Sequence, residues 1–438
     1  MAQQNVEVVV VGGGQAGVAM SEHLTNKNIS HVVLEKDRVA ERWRTGRWDS
    51  LVANGPAWHD RFPSMEFQVH PDAFAPKDDV AAYLESYADK FAGRIETGVE
   101  VTRVRHAPNS TKFAVETTRG DYTAQYVVAA TGPFQKPVIP HVVPETAGFH
   151  QFHSHDYKNP QQLPQGGVLV IGAGSSGSQI ATELNKAGRD VYLAVGPHDR
   201  PPRRYRGRDN VWWLGVLGKW DMATPGPDTE HVTIAVSGAE GGKTVDFRNL
   251  GNRGITLLGR AARFEDQTMY FNDDLQENIS RGDENYLSLL EEADEYIERH
   301  GLRLPAEPEA KIIGPDPESL KRPILELDLA KAGITTIIWA TGFTQDYSWL
   351  QVDQALDAGG RPAHQRGVSD ATGVYFLGLP WQSRRGSSFI WGVWHDAKYV
   401  ADQIDIQRSY AAYRPMTEAH ERSQVSPSVS IQPTGVAG

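Results

Sequence analysis

One short pattern occurs twice in this chain. Val8-Val9-Val10-Val11-Gly12-Gly13-Gly14-Gln15-Ala16-Gly17 and Val168-Leu169-Val170-Ile171-Gly172-Ala173-Gly174-Ser175-Ser176-Gly177 each read as an apolar β run, then G-x-G-x-x-G, then helical spacing. In such a motif the first glycine permits the tight turn, the second lets backbone approach a pyrophosphate, and the third lets helix and strand pack closely. The pyrophosphate sits on the helix N-terminus, where free N–H groups point outward. The doubled pattern therefore predicts an α/β fold with two Rossmann-like dinucleotide-binding domains. The first contributes Gly12, Gly14, Gln15, Ala16 and Gly17; the second contributes Gly172, Gly174, Ser175, Ser176 and Gly177.

The strands that follow the two motifs differ at their ends. His31-Val32-Val33-Leu34-Glu35 ends in an acid, roughly 20 residues past the glycines, where this fold places the carboxylate for a ribose hydroxyl. Asp190-Val191-Tyr192-Leu193-Ala194-Val195-Gly196 ends without one and is followed by Arg200, Arg203, Arg204, Arg206 and Arg208. A missing carboxylate avoids repelling a 2′-phosphate, and guanidinium forks bind phosphate bidentately. The second site is thus expected to take NADPH through Arg203 and Arg204. The alternative is that this cluster is solvated or pairs with acids elsewhere.

Each motif has a later companion, Ala130-Thr131-Gly132 after an apolar strand and Ala340-Thr341-Gly342 after another. The second unit is expected over 159–342, inserted into a first unit formed by 1–158 and 343–438. An antiparallel meander is expected from Glu96 to Val128, an acidic amphipathic helix over Asn285 to His300, and a closing helix over Ser387 to Ile406. After Arg414 the Ser, Pro, Gln and Gly content reads as a tail, which leaves a homodimer open.

Composition excludes several chemistries. The 438 residues contain no cysteine, so disulfides, thiolate metal centres and transfer of electrons to a redox dithiol in this chain are ruled out. The net charge of −11 argues against nucleic acid, which needs clustered cations. No apolar stretch reaches the ~20 residues of a membrane span, and the N-terminus lacks a signal-peptide pattern. These features predict a cytoplasmic protein with small-molecule partners. His153 and His155 sit two apart, like strand-paired ligands, with only Asp156 nearby, so no metal is expected. The tryptophans 212, 213, 220, 381, 391 and 394 either line a cavity or fill the core, and Arg384-Arg385 either meets a phosphate or faces solvent.

Further motifs resemble the flavin-containing monooxygenase family over nearly the whole chain up to the tail. Trp48-Asp49-Ser50-Leu51-Val52-Ala53-Asn54-Gly55-Pro56 resembles the segment holding an active-site asparagine in an N-G-P turn. Asn54 matches that asparagine, although Asn-Gly is also a common plain turn. Phe149 to Tyr157 matches the second half of the family motif F-x-G-x-x-x-H-x-x-x-[FYW] through His153 and Tyr157, while Ala147 and Phe149 depart from its first half. Trp339-Ala340-Thr341-Gly342-Phe343 resembles the late A-T-G-[YF] element. The resemblance implies FAD in the first site, held by the first glycines with Glu35, Arg42, Trp43, Val101, Thr131, Gly132 and Ser387, and NADPH in the second, reached also by Thr341 and Gly342. It implies a monooxygenase that transfers one atom of O2 from a flavin C4a-hydroperoxide to a small soft nucleophile, an amine or sulfide. Tyr157 stands where ketone-oxidising relatives usually carry Trp, against the alternative of Baeyer–Villiger oxygenation. A further alternative is an NADPH-dependent flavin reductase or dehydrogenase without oxygenation.

Overall fold

The computed structural model describes residues 4–91, 94–223 and 233–413. The expected tail from about 414 lies outside the described residues. The first unit is built on a nine-stranded sheet. Its parallel part runs Val374–Phe376, Tyr122–Ala129, Gln4–Val11, His31–Glu35 and Ile95–Thr97 in spatial order. Val8, Val9 and Val10 are wholly buried because helices and the meander cover both faces of the sheet. The expected meander forms from Val101–His106, Phe113–Thr117 and Tyr122–Ala129, paired antiparallel.

The second sheet is all parallel, in the order Thr256–Leu258, Val191–Ala194, Gly167–Ile171, Ile334–Trp339 and His150–His153. Its edge strand His150–His153 precedes residue 159, where the second unit was expected to start. Four residues of mixed polarity are too short to stand out as a strand, and only pairing with Ile334–Trp339 makes them one.

Two helices differ from their expected bounds. The acidic helix spans Leu275–His300. Its earlier start was masked by Gly282 and Asp283, which read as helix breakers but are buried. Gly282 is needed because a Cβ there would strike the His198 ring. Asp283 is a hub: Oδ1 accepts from Arg200 Nε (2.9 Å) and Oδ2 from Arg248 Nε and Nη2 (2.9 and 2.7 Å). The closing helix spans Ile390–Ala412, not Ser387 to Ile406, with Phe389 at its N-cap. Val393, Ala397, Val400, Ala401 and Ile404 recur at three- and four-residue spacing and pack against Val18, Ala19 and Leu24 of the first fingerprint helix, Gln15–Asn26. Buried Glu22 ties that contact together, accepting from Trp394 Nε1 (2.6 Å) and Tyr87 Oη (2.7 Å).

Candidate functional site

The two glycine turns have the same construction. Gly12 and Gly172 adopt φ of 111° and 101°, left-handed values that favour glycine. A Cβ on either would press on the carbonyl of the neighbouring A-T-G strand end, Ala130 in one case and Ala340 in the other. A Cβ on Gly17 would overlap the Gly12 carbonyl oxygen outright, and Gly177 stands in the same relation to Gly172. Space over Gly14 is open, with nothing within 4 Å of a Cβ built there. Both fingerprint helices start at a glycine N-cap with no side-chain cap and no acid in the first turn. Their first N–H groups and positive dipole ends are therefore left for an anion, which fits a dinucleotide pyrophosphate at each.

Around the first turn, Glu35 accepts from Gly13 N (2.6 Å) and Asp37 N (2.9 Å), while burial pushes its pKa up. A carboxylate that accepts two bonds still has lone pairs for a ribose hydroxyl. Beyond it lies a cavity of about 480 Å³ lined by Asp37, Arg38, Glu41, Thr97, Gly98 and Arg119. Val99 N donates to Glu35 O, which brings the buried Val101 to this end of the site. Thr131 and Gly132 are linked by Gln135, whose Nε2 donates to Thr131 Oγ1 (2.9 Å) and Gly132 O (2.8 Å). Gln15 Nε2 donates to Ser388 O (2.8 Å), joining the glycine turn to the loop before the closing helix. Ser387 is wholly buried, and its Oγ accepts from Ser383 N and Arg384 N. Its hydroxyl therefore secures that loop and is not presented to a ligand.

The junction of the units is cationic. Arg42 Nη2 donates to Gln135 O (2.8 Å), and its Nη1 lies 3.2 Å from the His155 ring. Arg47 stacks over Phe134 and Trp43 at 4.9 and 5.8 Å, and burial pulls its guanidinium down to about 10. His153 is buried against Phe343, with Nδ1 accepting from His155 N (3.1 Å). Tyr157 Oη donates to Glu183 Oε2 (2.7 Å), and Ser50 Oγ donates to Glu183 Oε1 (2.6 Å), so one carboxylate clamps the linker and the Asn54 segment. Thr341 Oγ1 donates to Val138 O, and Gly342 O accepts from Val138 N, binding the two connecting strands together.

Asn54 also lies on this junction. Its Oδ1 accepts from Gln179 Nε2 (3.1 Å) and its backbone carbonyl accepts from Arg203 Nη1 (2.6 Å). Both partners belong to the second unit. With Oδ1 engaged, the side-chain Nδ2–H2 is the group left to donate.

Arg203 itself is not placed for a 2′-phosphate. It is 3% exposed and paired with Asp209. Arg200 is committed to Asp283 and Arg206 to Asp294, while exposed Arg204 donates to Gly241 O (2.8 Å). Pairing with acids elsewhere, the alternative weighed from sequence, describes three of these arginines. Ser175 Oγ is likewise taken, donating to Ile234 O (2.8 Å), while Ser176 stays half-buried at the helix start. The cation beside the end of Val191–Ala194 is Arg260, whose Cγ and Cδ lie 3.3 Å from where a Gly196 Cβ would stand; its Nε donates to Asp274 Oδ2 (2.8 Å), but unlike Arg200 and Arg203 the side chain is 55% exposed. Sequence reasoning missed Arg260 because it arrives just after a neighbouring parallel strand, Thr256–Leu258, far along the chain. It also missed Gln179, although that residue lies just after the third glycine of the second motif.

Two dinucleotide sites facing one junction define a flavoprotein oxidoreductase of the two-dinucleotide class, with FAD and a nicotinamide dinucleotide as its cofactors. Comparisons with known proteins agree. A family described as pyridine nucleotide-disulphide oxidoreductase matches residues 9–206. An uncharacterised CzcO-like oxidoreductase of Geobacillus kaustophilus is 36% identical over 406 residues, covering 92% of this chain and 99% of that one. A Baeyer–Villiger monooxygenase of Streptomyces coelicolor is 30% identical over 186 residues, 41% of this chain and 36% of that one. Among solved structures, the flavin-containing monooxygenase from Stenotrophomonas maltophilia matches with a TM-score of 0.63 at 20% identity, covering 94% of this chain and 100% of that one. The chain belongs to the CzcO-type oxidoreductases and shares its fold with flavin-containing monooxygenases. Among the described residues, no helix is long and apolar enough to cross a membrane.

Proposed function

We propose that the protein is an NADPH-dependent monooxygenase that transfers one oxygen atom of O2 to a small soft nucleophile, an amine or sulfide. The observation that carries this reading is Asn54, whose amide is steered across the junction by Gln179 while the sites on either side fit the two dinucleotides. When bound, FAD accepts hydride equivalents from the nicotinamide and passes them to O2. The residues of this chain bind and orient. The glycine turns anchor the pyrophosphates, Glu35 holds a ribose, and the Asn54 amide is the fixed donor toward the reacting atoms. The total absence of cysteine supports oxygen over a disulfide of this chain as the electron acceptor.

The test follows NADPH, O2, peroxide and product together with an amine, a sulfide and a ketone. The expected result is that amine or sulfide accelerates NADPH oxidation and that product replaces peroxide. Asn54→Ala should keep NADPH oxidation while cutting product ~100-fold, the usual scale for one fixed donor. NADPH turned over entirely to peroxide, or to an artificial acceptor, with every substrate would establish the reductase alternative instead.

NADPH preference is assigned to the exposed Arg260, whose Nε also meets Asp274 Oδ2 (2.8 Å), and not to the buried Arg203. Arg260→Ala is expected to raise KM for NADPH about tenfold and to leave NADH nearly unchanged, since one charge-assisted pair accounts for roughly that factor. Arg203→Ala is expected to weaken both coenzymes alike, because it unpairs Asp209 and frees the Asn54 carbonyl. Initial rates with the two coenzymes decide this; a loss confined to NADPH in Arg203→Ala would restore the first assignment.

A further inference from the structure

One turn beyond Asn54 the chain places a histidine and an aspartate that the reading above does not use. His59 N and Asp60 N both donate to Pro56 O (2.9 and 3.0 Å), so the two residues wrap back onto the N-G-P turn. Asp60 Oδ2 accepts from Gly55 N at 3.0 Å, and its Oδ1 lies 2.9 Å from His59 Nδ1. An ionised carboxylate only accepts, so Nδ1 carries the proton and Nε2 of the neutral ring is an acceptor. Among the described residues, no hydrogen bond engages Nε2.

The ring stands in an aromatic box drawn from both units. It stacks on Trp220 at 5.4 Å and meets Trp391 edge-on at 5.0 Å and Trp58 at 5.3 Å. Phe389 closes against Trp220 at 5.2 Å. Trp58 and Phe389 form the exposed rim, at 36% and 37%, while the imidazole is 12% exposed. Phe389 follows Ser388, whose carbonyl accepts from Gln15 Nε2 (2.8 Å), so the loop that carries this ring is tied to the first glycine turn. The charged groups around it are Asp60, the Arg384–Asp221 pair behind Trp391 and Trp220, His395 one turn along the closing helix, and Arg61 beside Trp58.

We infer that His59 is the general base of an amine oxygenation, its tautomer set by Asp60, and that the substrate is an amine bound in the Trp58, Trp220, Trp391 and Phe389 box. This rests on the monooxygenase reading and selects amine over sulfide within it. An ammonium ion is attracted to aromatic faces, but its lone pair is occupied by a proton and cannot take oxygen. His59 Nε2 removes that proton: the substrate N–H bond breaks and its electron pair returns to nitrogen. The same proton is the one consumed when amine, NADPH and O2 yield amine oxide, NADP⁺ and water. A sulfide brings no proton and needs no such base.

The test compares N,N-dimethylbenzylamine with benzyl methyl sulfide in the holoenzyme between pH 6.5 and 9.5. For His59→Gln the amine-to-sulfide ratio of kcat/KM is expected to fall at least ~100-fold at pH 7, the ordinary scale of general base catalysis. The ratio should then climb about tenfold per pH unit as free amine appears. Asp60→Asn keeps an acceptor for Gly55 N but donates to His59 Nδ1, reversing the tautomer, and should show the same loss. It carries the test if His59→Gln misfolds, as judged by FAD content. Imidazole should restore the ratio in His59→Ala. A ratio that follows wild type in both His59→Gln and Asp60→Asn overturns the inference, leaving His59 as wall. Wild-type enzyme that makes only peroxide with both probes overturns the monooxygenase reading and, with it, this one.

Discussion

Gly177→Ala is expected to yield a yellow protein that NADPH does not reduce, and Gly17→Ala a colourless one. At each position the added methyl falls on the carbonyl oxygen of the first glycine in its own turn, so backbone must move. Displacement of about 1 Å in a positioning element can cost ~100-fold in rate, and the helix N-terminus loses its aim at the pyrophosphate. The two fingerprint helices pack into different hydrophobic clusters, although Trp48 and Leu51 of the first unit join the second cluster, so each substitution should act first on its own nucleotide. Absorbance at purification reports the first site, and anaerobic reduction by NADPH reports the second. A yellow Gly17→Ala protein, or a Gly177→Ala protein reduced at the wild-type rate, would show that the turns do not hold the dinucleotides.

Asp283→Ala is expected to be the most destabilising single change in the second unit. Arg200 and Arg248 are 2% and 7% exposed and share this carboxylate. Breaking a buried pair costs ~3–5 kcal/mol because a charge stays buried without its partner; here Arg200 loses its acid, while Arg248 keeps the half-exposed Asp316. A fall in Tm of about 10 °C or more is expected for a domain of this size. The exposed Glu295–Arg299 pair is the control, at 70% and 68% exposure; Glu295→Ala should move Tm by about 1 °C. Equal melting of the two variants would mean that the hub contributes no more than a surface pair.

The cofactor turns were legible in the sequence because they are local. A glycine needed for positive φ or for close approach is recognised from residues a few positions apart, and Glu35 is separated from its turn by one helix. The A-T-G strand ends were found for the same reason, as repeats of a pattern. The arginines failed the same logic. Arg200, Arg203 and Arg206 look like a phosphate site in one dimension, but their acids lie at Asp283, Asp209 and Asp294. The tryptophans also divided only on folding: Trp213 is 1% exposed in the core, whereas Trp220 and Trp391 meet His59 in the box.

The sequence alone determined that two dinucleotides bind and that no thiol takes their electrons, because backbone geometry and elemental composition need no partner to be read. What the junction holds was decided by tertiary structure. Asn54, Gln179, His59, Trp220 and Trp391 come from segments scattered between residues 54 and 391, and their roles depend on hydrogen bonds and ring contacts only a few ångströms long. Such interactions fall off too steeply with distance for spacing along the chain to predict them.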